Sequence, residues 1–122
     1  MNEPWVRSRG YLVDVLTSHR LPLSDEKALQ AAMAEAFSAL KIDFRREVQL
    51  GPRDIVDFIV WNDVAIEVKI KGQRRAIFRQ VERYCGYDAV GSLVLATNVP
   101  IGLPETINAK PISVAALGRG WL

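Results

Sequence analysis

The stretch that most narrows what this chain can fold into is residues 53–71, RDIVDFIVWNDVAIEVKIK, which reads as two apolar strands joined by a tight turn at Trp61, Asn62 and Asp63. In the first strand Ile55, Asp57 and Ile59 share one face by the two-residue period, and Val56, Phe58 and Val60 share the other. Asp54 falls out of phase with Asp57. In the second strand Glu67, Lys69 and Lys71 share a face, with Ile66, Val68 and Ile70 as its apolar opposite. Two carboxylates and an ammonium thus stand among Ile, Val and Phe.

Charges in such surroundings are costly unless they are paired or bound to a metal. A divalent cation meets that need, because Mg2+ takes oxygen ligands and is usually held by one or two carboxylates plus substrate phosphate and water. Asp57 and Glu67 are the candidate ligands. Lys69, one pleat from Glu67, is placed to orient an attacking water or to stabilise charge growing on a phosphate oxygen. The competing explanation is an Asp–Lys or Glu–Lys pair on a solvated sheet face, and Glu67-Val68-Lys69 taken alone fits it.

Further along, Gln80 and Tyr84 are four residues apart in a helical stretch, and upstream Glu26 opens another helix. Asp57, ten residues and then Glu67-Val68-Lys69, followed by Gln80-x-x-x-Tyr84, resembles the signature of the PD-(D/E)XK nuclease superfamily, in its RecB-like and resolvase-like branches. The resemblance spans residues 22–98 and departs at Val56, where the family pattern has proline before the first acid. It implies a restriction-endonuclease-like α/β core, α-β-β-β-α-β, with a central mixed sheet flanked by helices. It also implies Mg2+ or Mn2+ on Asp57 and Glu67, with Glu26 and the backbone carbonyl of Val68 as further ligands. Lys69 would then be catalytic, with Gln80 and Tyr84 beside the metal site, contacting substrate phosphate or orienting the lysine.

At 122 residues and 49% hydrophobic, the chain suits one domain with a real core. No run reaches eighteen apolar residues, and Met1-Asn2-Glu3-Pro4 lacks a signal-peptide profile, so the expectation is a cytoplasmic protein with no membrane partner. Cys85 is the single cysteine, which excludes an internal disulfide. A net charge of +2 says little, yet residues 69–83 hold six bases against the single acid Glu82. Lys71, Arg74, Arg75, Arg79 and Arg83 are accordingly the candidate nucleic-acid contacts, against the alternative of an ordinary solvated helix face with an Arg79–Glu82 pair.

The flanking pattern predicts a short helix over residues 5–19, interrupted at Gly10, with Arg7, Arg9, His19 and Arg20 as an extension of a phosphate-binding surface. His19, the only histidine, has no nucleophile partner and reads as a capping or surface group. Ser24 reads as the cap of a helix striped by Leu29, Met33, Ala36, Phe37 and Leu40. Glu26 lies at the core-facing edge of that stripe, able to reach the sheet or simply to favour the helix dipole; Glu35 is a second acid on the same helix. Residues 44–50 alternate as a strand with one wet face, where Glu47 either adds a carboxylate to the site or pairs with Arg45. Three strands on short turns predict an antiparallel meander.

Residues 74–85 have helical spacing, with Tyr84 either beside the site or an aromatic at the core boundary. Residues 92–97 suit a buried strand reached by a parallel crossover, 98–111 a long loop, and 112–117 a final edge strand. Trp121 in the tail packs back or meets a partner.

The expected activity is metal-dependent hydrolysis of phosphodiester bonds, in DNA rather than RNA, structure-specific or nonspecific, with repair or recombination as the setting that the resemblance implies. A homodimer or a helicase-type partner fits a core this small. Two other classes stay open: a catalytically silent nucleic-acid-binding or scaffold module on the same fold, and an α/β interaction domain whose acids are surface charges.

Overall fold

The computed structural model describes residues 7–118. Trp121, and the first two residues of the helix expected over 5–19, lie outside them. In chain order the elements are α1 (Arg9–Ser18), α2 (Glu26–Ala39), β1 (Phe44–Gly51), β2 (Asp54–Val60), β3 (Val64–Lys69), α3 (Arg74–Tyr84), β4 (Ser92–Thr97), β5 (Thr106–Ile107) and β6 (Lys110–Ala116).

The helix starts are set by side-chain caps. Ser8 Oγ accepts from the Tyr11 amide at 3.0 Å, so α1 begins beyond it and runs through Gly10 without interruption. Asp25, rather than Ser24, caps α2, accepting from the Ala28 amide at 2.8 Å. Leu29, Met33 and Phe37 are buried as the stripe requires, whereas Leu40 is 42% exposed, because the helix has ended and Lys41 turns the chain at φ 57°.

The six strands form one mixed sheet in the order β1-β2-β3-β4-β6-β5. The first three are the expected antiparallel meander, and β4 runs parallel to β3 after the α3 crossover. Beyond β4 the topology departs from the expectation. Thr106 and Ile107, in what reads as a strandless loop, pair with Pro111 and Lys110, so β6 lies between β4 and a two-residue edge strand. Asn108 and Ala109, at φ 51° and 64°, make the two-residue hairpin turn between them.

The sheet divides two apolar layers. On one face α1 and α2 pack Leu12, Leu16, Leu29, Met33 and Phe37 against Phe58, Val60, Ile66 and Val68. On the other, α3 packs Ile77, Val81 and Tyr84 against Val56, Ile59, Leu93 and Leu95. The result is a three-layer α/β architecture. No helix among the described residues is long and apolar enough to cross a membrane.

One irregularity corrects the face assignment made from the two-residue period. Val56 lies in the α3 layer while Phe58 and Val60 lie in the other, and Ile55 is 53% exposed. The partner strand switches at the same place: Phe44 packs on the α2 side, Val48 and Leu50 on the α3 side. Register explains it. Arg46 pairs with Phe58 and Val48 with Val56, which puts Glu47 opposite Asp57, and Glu47 has a φ of 50°. A left-handed residue inside a strand rotates the remainder of that strand by about a pleat, so both strands change faces at the level of Asp57.

Candidate active site

The β2–β3 ladder runs Val60↔Val64, Ile59↔Ala65, Phe58↔Ile66 and then stops. Asp57 and Glu67 stand at the next position, where the strands diverge and their peptide groups need other partners. The two side chains supply them. Glu67 Oε1 accepts from the Asp57 amide at 3.2 Å, and Asp57 Oδ2 accepts from the Val68 amide at 2.8 Å. Each carboxylate thus replaces a carbonyl that the other strand has carried away, which fixes the pair in the fork.

Glu67 is 3% exposed and Asp57 half-buried. Burial, and then the Asp57 charge, push the Glu67 carboxyl up to about 8; burial also raises Asp57, opposed by its bond from Val68. Glu67, the more strongly raised of the two, is the group that holds a proton near neutral pH. Lys69 Nζ stands 3.7 Å from Glu67 Oε2 on the same face of β3. Its ammonium favours the ionised forms of both acids.

The backbone beyond Lys69 is held from both sides. Glu26, at the first turn of α2, accepts from the Ile70 amide at 3.1 Å, and Thr97 Oγ1 donates to the Lys69 carbonyl at 2.6 Å. The Glu26 charge is close enough to contribute to the raised pKa of Asp57. Glu47 and Glu35 are exposed; it is the backbone of Glu47 that shapes this level of the sheet.

Gln80 and Tyr84 do share a face of α3, as their spacing requires. Gln80 Nε2 donates to Tyr84 Oη at 2.9 Å, and Tyr84 Oη donates to the Ile55 carbonyl at 2.9 Å, two residues before Asp57. Tyr84 is 2% exposed, and burial, followed by the Glu67 charge, raises its hydroxyl far above the usual range, so it acts here as a neutral buttress for β2. Gln80 also lines an open cleft of about 280 Å3 with Lys69, Lys71, Gln73 and Arg83. Arg74, Arg75, Arg79 and Arg83 are all exposed on α3. Elsewhere, Arg9 donates to Ser113 Oγ, and His19 Nδ1 meets the Val15 carbonyl at 2.7 Å, which agrees with a capping role.

Among the described residues no group of three His, Cys, Asp or Glu side chains gathers as a ready-made cation site. Asp57 and Glu67 meet as a pair, and Glu26 stands beside them with one oxygen engaged on the backbone. That donor set still fits Mg2+ or Mn2+, which needs only one or two protein carboxylates. Burial and the Asp57 charge raise the Glu67 carboxyl, and a cation bound between the two acids would favour its ionised form.

Asp54, out of phase with Asp57 by the two-residue period, is a buried acid in its own cluster. It accepts from Tyr87 Oη at 2.8 Å and from Arg83 at 3.2 Å and 3.3 Å. Compared with models of known protein families, with curated proteins and with solved structures, the chain matches none.

Proposed function

We propose that this chain is a metal-dependent nuclease with a restriction-endonuclease-like core, in which Asp57 and Glu67 hold Mg2+ or Mn2+ and Lys69 acts on the attacking water. The observation that carries the reading is the fork itself. It holds a buried and a half-buried acid side by side, each bonded to the backbone of the opposite strand, with an ammonium 3.7 Å from one of them, next to a cleft walled by Lys69, Lys71, Gln80 and Arg83.

The chemistry asked of the site is the attack of water on phosphorus, with the P–O3′ bond breaking to leave a 5′-phosphate and a 3′-hydroxyl. A bound divalent cation would supply a lower pKa for the attacking water and neutralise phosphate charge. The chain's own part is positional. Asp57 and Glu67 present the oxygens that their backbone bonds leave over, Asp57 Oδ1 and Glu67 Oε2, and the Val68 carbonyl is the further ligand that the family resemblance implies. The Lys69 ammonium holds the nucleophile by a hydrogen bond and faces the charge that grows on the phosphate. Gln80 and Tyr84 keep α3 at a fixed distance from β2, and the exposed arginines of α3 attract the strand.

DNA is the proposed substrate, and among the described residues no element beyond the core is large enough to read bases, which favours cutting that is nonspecific or guided by structure. The test is cleavage of end-labelled single-stranded, duplex and branched DNA, and of supercoiled plasmid, with EDTA, Mg2+ or Mn2+. Metal-dependent cutting by the wild type, lost in Asp57→Ala, is expected. A folded wild type that binds these DNAs without cutting them would instead favour the catalytically silent binding module.

A further inference from the structure

Asp54 opens β2 and is only 7% exposed, yet three donors converge on it from beyond its own strand. Arg83, in the last turn of α3, gives Nε and Nη2 to Oδ1 at 3.3 Å and 3.2 Å, and Tyr87, just past that helix, gives its hydroxyl to Oδ2 at 2.8 Å. Room for Tyr87 comes from Gly51 at the end of β1, where a Cβ would overlap the phenol ring. Three segments are thus shaped around the one carboxylate that holds this guanidinium. A decorative surface ion pair needs none of this.

Arg83 itself is open to solvent, its side chain 54% exposed. It lines both the cleft shared with Lys69 and Gln80 and a neighbouring cavity of about 520 Å3 shared with Pro52, Arg53 and Tyr87. The two bonds to Asp54 use Nε and Nη2, which leaves Nη1 for a ligand. A guanidinium fixed on one edge presents a directed donor at little entropic cost to the ligand it meets. The Tyr87 and Arg83 bonds also hold Asp54 below the usual carboxylate range, so the anchor stays charged.

We propose that Asp54 is a positioning residue that fixes Arg83 as the contact for a nucleic-acid phosphate flanking the scissile one, at the wall of the cleft that holds Lys69 and Gln80. The proposal rests on the nucleic-acid reading above.

The test compares wild type, Arg83→Gln, Asp54→Asn and the double variant for binding of a fluorescein-labelled oligonucleotide in Ca2+, and for KM and kcat in Mn2+. Each single variant is expected to weaken binding and raise KM on the order of tenfold, the scale of one charge-assisted hydrogen bond. The double variant should be no worse than Arg83→Gln, because Asp54 acts only through Arg83. The sign is decisive. If Asp54 merely neutralised Arg83, Asp54→Asn would remove a negative charge and tighten binding, and that result overturns the proposal. A lower melting temperature with unchanged affinity and KM overturns it as well, since a merely structural residue behaves so. Failure of a wild type to bind the oligonucleotide also sinks it. Coupled loss of binding without cleavage in any protein keeps the subsite and rejects hydrolysis. Asp57-dependent cleavage untouched by Asp54→Asn or Arg83→Gln does the reverse.

Discussion

Glu67 is the residue whose physical state says most about the site, because a carboxyl at about 8 sits far above the ordinary range of Glu. The sign of its effect on stability comes from proton counting. Between the unfolded value near 4.5 and about 8, the unfolded chain has released a proton that the folded chain still holds, so stability falls as pH rises through that window. Without divalent cation, denaturant titrations at pH 5 and pH 8 should differ by about 2 kcal/mol or more. Glu67→Gln should flatten the difference and be the more stable form at pH 8; an unchanged slope in that variant would place the titrating group elsewhere. Lys69 answers a different question. Lys69→Ala should abolish cleavage while metal affinity, followed by calorimetry, changes less than about tenfold; equal loss of both would make the lysine structural.

At the scale of elements, β1 to β4 and the two longer helices are readable in the sequence from apolar runs bounded by turn residues and, in the helices, from a single apolar stripe. Each feature that escapes such a reading has a physical cause. The face switch at Glu47 depends on a left-handed φ at a residue that gives no sign of it, and Asp54 reads as out of phase because the alternation beyond that switch is not the one that precedes it. Ser24 and Asp25 are both good caps, and only geometry separates them. The β5–β6 hairpin is hidden because its turn is Asn108-Ala109 instead of Asn-Gly, and because Pro111 sits where a strand begins.

That turn makes a prediction. Ala109 bears left-handed strain at φ 64°, so Ala109→Gly should raise stability by about 0.5 kcal/mol or more in thermal or denaturant unfolding. In α3, Tyr84→Phe removes the bond to the Ile55 carbonyl and the partner of Gln80, in a position 2% exposed. About 1 to 2 kcal/mol of stability should go with it, measured in the same way.

Across the whole molecule, Lys69 and Lys71 at the end of β3 meet Gln80 and Arg83 of α3 at one cleft, beside the fork that holds Asp57 and Glu67. Arg74, Arg75 and Arg79 are exposed, and their role is expected to be long-range attraction rather than chemistry. Replacing all three by Ala should weaken oligonucleotide binding and reduce the slope of log K against log salt by about 0.7 to 0.9 for each phosphate no longer neutralised, with kcat nearly retained. Loss of kcat at saturating substrate would instead place those arginines in the catalytic step.

The central claim is that the fork of β2 and β3 holds a divalent cation between Asp57 and Glu67. Calorimetric titration of Mn2+ at pH 7 in buffers of different ionisation enthalpy measures it most directly. One site is expected, releasing about one proton per ion as Glu67 ionises, with heat and proton release both lost in Asp57→Ala. Absence of binding by the wild type, or binding that Asp57→Ala leaves unchanged, would contradict it.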